Sequence, residues 1–357
     1  MEDRMNAGRA GADVSRAPQA GEKVFSHRRK NNSWRNLTGF RYAHRGYFEQ
    51  PNTASRYPKN ELSTPLWRDD VRRIGKTGGL LIPENSMAAF ERAVQYGFGS
   101  ELDVHLAKDG SMPVVHDSNL LRMTGREGDV EQLTREELDR YTLLGTDQKI
   151  PEFEEVLKLY TSREAETTRE REAAGLRPWL LPRRASAVKK AFRKAGESPD
   201  GEALCLPLII ELKTTDQTCS SLCEKVMELI DRFPSLNYCV ESFDPRAVLW
   251  FRKNRPDVLY GQLTENFTKS RSAVRDWGRI STFGMWCGAT NLRTHPDFIA
   301  CKYADRRNPA IRLSYLLGVR QVSWTLHSQE ELDIVEHEGG VGIFERFLPD
   351  GNGWGDI

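Results

Sequence analysis

The sequence predicts an α/β protein whose parallel strands close into a TIM-type (β/α)8 barrel with insertions. Predicted strands and helices alternate along most of the chain, which is typical of a parallel sheet covered by helices. The number of candidate strands is nine, and such a barrel needs eight. The 357 residues are enough to bury the core of one large α/β domain with insertions.

Composition excludes several classes of protein. The formal net charge is +1 and 29% of the residues are charged, so nothing global favours a nucleic-acid partner. The six cysteines are scattered without paired spacing, which is typical of a reducing compartment. No apolar run approaches the ~20 residues that span a bilayer, and the N-terminus lacks the apolar core of a secretion signal. We therefore expect a cytoplasmic protein.

The chain divides into three segments and two insertions. Residues 1–37 are polar and predict a disordered, mildly basic arm, residues 38–348 the barrel, and residues 349–357 a C-terminal tail. Insertions are predicted at 47–82 and 161–204. Within the second, residues 179–194 form a basic amphipathic pattern. This segment is either a solvated surface helix or a peripheral contact with an anionic membrane.

The first half of the barrel contains the stretch that organises the rest. A strand is predicted near 42–46, and a helix follows Pro83-Glu84-Asn85-Ser86, capped by Asn85 or Ser86 and ended by Gly97. Residues 99–117 predict two strands joined by a tight turn at Lys108-Asp109-Gly110, since an Asp-Gly pair accepts the positive φ angles of such turns.

The second half repeats strand and helix. A capping box at Thr134 and Glu137 and a proline at 151 each start a helix. Further helices are predicted at 217–232, after Asp244-Pro245, and after a capping box at Ser328 and Glu331. The remaining candidate strands are 208–213, 238–243, 258–263, 298–303, 321–326 and 341–344.

Three carboxylates are predicted to converge. Glu101 and Asp103 lie two residues apart and therefore on one face of a strand, and Glu211 ends another strand. The carboxyl ends of parallel barrel strands open at one face, where active sites lie. A divalent cation would relieve the repulsion between them, and ligation by oxygen alone selects Mg²⁺ or Ca²⁺. The alternative is three separate surface ion pairs.

Two histidines and two cations complete the predicted site. His44 and His116 can act as acid and base, because the reference pKa of histidine lies near neutrality. Arg45 and Lys213 are donors suited to phosphate oxygens. Together with a cation, these groups fit in-line displacement at a phosphodiester.

The motifs occur in the order found in glycerophosphodiester phosphodiesterases, which the chain resembles over about residues 40–345. They are His44-Arg45-Gly46, Pro83-Glu84-Asn85, Glu101-Leu102-Asp103-Val104, Lys108-Asp109-Gly110, His116-Asp117, Glu211-Leu212-Lys213, Ser242-Phe243 and Trp324-Thr325. The resemblance implies a TIM-type barrel, a bound Mg²⁺ or Ca²⁺, and hydrolysis of glycerophosphodiesters to glycerol 3-phosphate and an alcohol.

The resemblance also implies a role for each matching residue. His44 and His116 would be the acid/base pair, Glu101, Asp103 and Glu211 the metal ligands, and Arg45 and Lys213 the phosphate contacts. Glu84 would lie near the site without an assigned role. Trp324 would form a wall for the glycerol moiety, or else pack in the core.

Departures from the family pattern leave rival functions open. The closing strand reads Gly342-Ile343-Phe344-Glu345 where the family usually has an Ile-Thr-Asp-like sequence. The rivals are a lysophospholipase D or a sphingomyelinase D-like phosphodiesterase on the same barrel, including one that forms cyclic phosphates. A catalytically inactive barrel that binds phosphodiesters is a further alternative.

Overall fold

Eight parallel strands form a closed barrel in which each strand pairs with the next and the last pairs with the first. The structure is a computed structural model that describes residues 34–50, 81–162, 206–266 and 288–350. The strands are β1 Tyr42–Ala43, β2 Gly99–Val104, β3 Leu208–Leu212, β4 Tyr238–Ser242, β5 Tyr260–Thr264, β6 Phe298–Lys302, β7 Arg320–Leu326 and β8 Val341–Phe344. This architecture confirms the predicted TIM-type barrel.

Helices connect and surround the strands. They are α1 Trp34–Leu37, α2 Met87–Tyr96, α3 Leu121–Thr124, α4 Arg135–Leu138, α5 Phe153–Ser162, α6 Cys219–Ile230, α7 Pro245–Asn254, α8 Asn291–Thr294, α9 Pro309–Leu316 and α10 Gln329–His337. Short 3₁₀ turns lie at Val130–Gln132, Leu143–Gly145 and Tyr303–Asp305.

Strand alternation divides the core into two parts. On β3, Ile209 belongs to a cluster inside the barrel, whereas Leu208 and Ile210 pack outward with α6 and α7 residues such as Val226 and Phe251. All five residues of β3 are buried. A strand buried on both faces reads as a continuous apolar run, which is why 208–212 was recognisable in the sequence.

Several helix ends agree with the predicted capping residues. The Ser86 side chain accepts a hydrogen bond from the Ala89 N–H at the start of α2, and Gly97 ends that helix with φ 76°. Thr134 and Glu137 form the predicted capping box at the start of α4. The predicted capping residues are therefore confirmed. Capping is predictable from sequence because it depends on residues that are neighbours in the chain.

The second of the two strands predicted within residues 99–117 is wrong as a barrel strand. Val114 makes only an isolated antiparallel bridge to Val104, and the Val115 N–H donates to the Asp103 carbonyl at 3.0 Å. The turn at Lys108-Asp109-Gly110 is present, with Gly110 at φ 88°. The segment therefore folds back over the end of β2, while β3 occupies the neighbouring place in the barrel. Residues 341–344 form the genuine eighth strand.

The last four residues of the predicted N-terminal arm lie within the described part of the chain. Residues 34–37 form α1, with Leu37 buried and the Trp34 ring 5.8 Å from that of Phe298. The ends of the first insertion are joined by an antiparallel bridge between Glu49 and Ile82. Residues 1–33, most of both insertions including 179–194, and residues 351–357 lie outside the described part. Within the described ranges, no helix is long and apolar enough to cross a membrane.

Candidate active site

Three buried carboxylates meet near the carboxyl ends of β2 and β3. Glu101, Asp103 and Glu211 each offer an oxygen, and these oxygens lie within 4.8 Å of one another. Asp103 and Glu211 are direct partners in the register of β2 and β3, and Glu101 faces the same way because side chains alternate along a strand. The structure thus brings together the three residues that the sequence singled out.

Donors around this triad balance part of its charge. Asp103 accepts a hydrogen bond from the Asn85 amide at 2.8 Å, and Lys213 Nζ lies 3.0 Å from Asp103 and 2.7 Å from Glu211. The Arg45 backbone N–H donates to Glu101 at 3.0 Å. Although burial opposes ionisation of Asp103, its pKa is lowered well below the usual range by Lys213 and the other cations around it.

Glu101 and Glu211 have too little positive charge around them to favour ionisation of both carboxyl groups. Burial and the neighbouring carboxylates raise the pKa of Glu101, and burial also raises the pKa of Glu211 despite the Lys213 ammonium. A divalent cation among the three oxygens would favour ionisation of both. The donor set contains oxygen alone and is buried, so the residues fit Mg²⁺ or Ca²⁺.

His44 follows β1 and turns one edge of its ring toward the triad. Its Nδ1 lies 2.7 Å from Glu345 Oε2, and its Nε2 lies 3.9 Å from Glu101 Oε2. Burial and the Arg45 guanidinium lower the pKa of His44, against the opposing influence of Glu345. The carboxylate therefore engages Nδ1 and leaves Nε2 toward the site.

His116 has the same arrangement from a different part of the chain. Its Nδ1 lies 2.7 Å from Asp117 Oδ1, and Asp117 is in turn paired with Arg122. Partial burial of the ring and the cations Lys213 and Arg45 lower the pKa of His116 to about 4. In the protein without a cation, both imidazoles are neutral at neutral pH and can accept a proton at Nε2.

Glu84 organises two arginines. Its Oε1 lies 2.7 Å from Arg45 Nη1 and 2.6 Å from Arg122 Nη2. Despite burial, these guanidinium groups hold the pKa of Glu84 well below its usual range. Glu84 is not among the triad of potential metal ligands. Its contacts instead connect the loop after β1 with the segment that carries His116.

Trp324 lies in β7 and has surroundings that fit both predicted readings. Its ring makes an edge-to-face contact with Phe243 at 5.8 Å, and its Nε1 donates to the Ala300 carbonyl at 3.1 Å. The side chain packs against the cluster inside the barrel but is only partly buried. It therefore contributes to the core and presents an aromatic surface near the mouth.

Sequence reasoning missed several supporting residues. Asn85 and Asp117 belong to the motifs Pro83-Glu84-Asn85 and His116-Asp117, and their adjacency to Glu84 and His116 is the sequence signal for their roles. Glu345 lies in the closing strand segment that departs from the family pattern. Arg122 gave no signal, since its partners Asp117 and Glu84 are recognisable only once the chain has folded.

Comparison with known proteins places this geometry in context. The sequence profile of the Glycerophosphoryl diester phosphodiesterase family matches residues 77–344. The chain is similar to glycerophosphodiester phosphodiesterase 1 of Rattus norvegicus, with 25% identity over 326 residues that cover 88% of each protein. It is also similar to a glycerophosphodiester phosphodiesterase of Bacillus altitudinis, with 47% identity over 89 residues.

The extent of these matches varies. The Bacillus altitudinis match covers 23% of this chain and 36% of that protein, so the chain spans about a third of that relative. Among solved structures, a phosphodiesterase from Oleispira antarctica in complex with the product sn-glycerol-3-phosphate has a TM-score of 0.53 and 14% identity. That match covers 86% of this chain and 93% of the other, and it supports the fold alone.

Proposed function

The chain belongs to the Glycerophosphoryl diester phosphodiesterase family of phosphoric diester hydrolases, and from this premise we propose that it hydrolyses glycerophosphodiesters to sn-glycerol 3-phosphate and an alcohol. The observation that carries the proposal is the cluster of Glu101, Asp103 and Glu211, with oxygens within 4.8 Å of one another, next to two carboxylate-bound imidazoles.

In this proposal Glu101, Asp103 and Glu211 hold one Mg²⁺ or Ca²⁺. Bound there, the cation would offset negative charge on the phosphate oxygens. The raised pKa of Glu101 and of Glu211 supports a cation site, because both carboxylates need more positive charge than the described side chains supply. The family and the donor chemistry do not distinguish the two ions.

The two imidazoles would move the protons of the reaction. One Nε2 accepts a proton as the nucleophile forms its bond to phosphorus. The other imidazole, neutral in the protein alone, would take up a proton beside the anionic phosphodiester and donate it to the alcohol oxygen as the P–O bond breaks. Glu345 and Asp117 each hold the Nδ1 of one histidine and stabilise its charged form. With water as the nucleophile the products are sn-glycerol 3-phosphate and the alcohol.

Arg45 and Lys213 would bind the phosphate. Arg45 is fixed by Glu84 and Lys213 by Asp103 and Glu211, so both cations are positioned before substrate arrives. Such preorganised charges stabilise the developing negative charge without reorganising during the reaction.

A second candidate is a lysophospholipase D activity. The observation that favours it is a similarity to lysophospholipase D GDPD1 of Rattus norvegicus, with 39% identity over 90 residues that cover 29% of that protein. Comparing turnover of glycerophosphocholine with that of lysophosphatidylcholine separates the two activities. A cyclic phosphate product would indicate attack by a substrate hydroxyl instead of water.

The proposal is tested by enzymatic detection of glycerol 3-phosphate from a panel of diesters, with Mg²⁺ or Ca²⁺ present in turn. We expect EDTA to abolish release and either ion to restore it. His44→Ala and His116→Ala should each lower kcat by roughly 10²-fold or more while the variants stay folded. Absence of hydrolysis of every diester by the folded, cation-loaded wild type would show an inactive binding barrel.

The proposed location is a reducing compartment such as the cytoplasm. Cys219, Cys223, Cys239 and Cys301, the cysteines within the described residues, are all free thiols. The proposed partner is the small-molecule diester.

A further inference from the structure

A fourth carboxyl group points into the barrel beside the triad. Glu241 lies on β4 and is the direct register partner of Glu211 on β3. Cys239, two residues earlier on the same face, belongs to the cluster inside the barrel, which places the Glu241 side chain on the inner face as well. Glu241 is 3% exposed.

Glu241 differs from the triad in its surroundings. Its Oε2 is buried and has no hydrogen-bond partner in the structure. By contrast, Glu101 and Glu211 each contact a donor, and Asp103 contacts Asn85, Lys213 and Arg45. A buried carboxyl oxygen without a partner is costly, so a group that supplies a donor is expected when the site is filled.

The position of Glu241 favours a substrate group over the cation. The group of carboxylates with oxygens within 4.8 Å of one another contains Glu101, Asp103 and Glu211, whereas Glu241 lies outside it. Two residues along the chain from Glu241, Phe243 packs edge-to-face with Trp324. An aromatic wall beside an unpartnered carboxyl group fits a short polyol, which presents both C–H and O–H groups.

We propose that the carboxyl group of Glu241 binds a hydroxyl group of the glycerol moiety and so selects glycerophosphodiesters over diesters without hydroxyl groups. This inference rests on the proposed function and names a specificity-determining residue within it. Hydrogen bonding between the hydroxyl and Glu241 would satisfy both buried groups at once.

The test compares sn-glycerol 3-phosphate with propyl phosphate, which has the same three-carbon chain without the hydroxyl groups. Inhibition constants are measured on the Mg²⁺-saturated enzyme, with bis(p-nitrophenyl) phosphate as the reporter substrate. The variants are Glu241→Met, which removes the polar group at similar length, and Glu241→Gln, which keeps hydrogen bonding. Cys239→Ala is the control for disturbed packing on the same face of β4.

We expect wild type to bind sn-glycerol 3-phosphate more tightly than propyl phosphate, and Glu241→Met to reduce this preference roughly tenfold. Glu241→Gln should retain most of the preference, and Cys239→Ala should retain it even if its melting temperature falls.

Three outcomes would overturn the inference. An unchanged preference in Glu241→Met would show that the carboxyl group does not bind the hydroxyl. An equal loss of affinity for both phosphates in Glu241→Met would show that the carboxyl group contacts the phosphate or supports the fold. Weaker Mg²⁺ binding by calorimetry with an unchanged preference would assign it to the cation. Failure of the proposed function looks different, since the wild type would then release no glycerol 3-phosphate from any diester.

Discussion

The pairing of Glu345 with His44 gives a prediction whose size follows from the structure. Glu345 Oε2 lies 2.7 Å from His44 Nδ1, and both side chains are largely buried. A hydrogen bond to a charged acceptor contributes about 1.5–3 kcal/mol and one to a neutral acceptor about 0.5–1.5 kcal/mol. Glu345→Gln should therefore raise the barrier by about 1–2 kcal/mol, which lowers kcat roughly 5- to 30-fold.

The assay is steady-state hydrolysis of a glycerophosphodiester with saturating cation. We expect KM to change less than about threefold, because the carboxylate contacts the imidazole and is not among the proposed phosphate contacts. Glu345→Asp should recover part of kcat, since it keeps the charge. His327→Gln is the matched control: His327 lies 3.5 Å from the other oxygen of Glu345 and is 57% exposed, so its loss should change kcat less than about twofold.

The prediction also has a clear refutation. A kcat for Glu345→Gln within twofold of wild type would show that the carboxylate does not support His44 during turnover. A loss confined to KM would assign Glu345 to substrate binding. Melting temperatures of all three variants distinguish either result from partial unfolding.

Three further predictions concern the cation, a histidine and the barrel interior. The pKa values of Glu101 and Glu211 are raised in the folded protein, so without a cation the folded state loses stability as the pH rises and these carboxyl groups ionise. Mg²⁺ or Ca²⁺ should therefore raise the melting temperature more at pH 8 than at pH 5. An equal increase at both pH values would contradict this expectation. The pKa of His116 is lowered to about 4, so as the pH falls the unfolded chain binds a proton on this residue before the folded protein does. The melting temperature of wild type relative to His116→Gln should therefore fall as the pH is lowered from about 6.5 to about 4, and a constant difference would refute the shift. A Cβ on Gly261 would lie 2.1 Å from the Phe298 ring. Gly261→Ala should therefore lower the free energy of unfolding, measured by chemical denaturation, by about 1–3 kcal/mol. A change below ~0.5 kcal/mol would show that the ring moves aside freely.

The sequence by itself determined the barrel and the composition of its carboxylate triad. Two local patterns predict the elements of the folded protein: continuous apolar runs such as 208–212, and the alternation of strand and helix. They do so because the apolar residues of each element decide which of its sides is buried. Glu101 and Asp103 share a face for the same reason, since the period of a strand is a property of the backbone.

Only the tertiary structure decided which segments pair and which charges meet. Residues 113–117 have strand composition, yet they fold back across β2 because β3 takes the adjacent place in the sheet. Glu345 meets His44 across 301 residues of sequence, and Arg122 meets Glu84 across 38. The contact between Glu345 and His44 depends on the closure of the barrel, which brings β8 beside β1. A local pattern of residues does not predict which distant segments of the chain become neighbours.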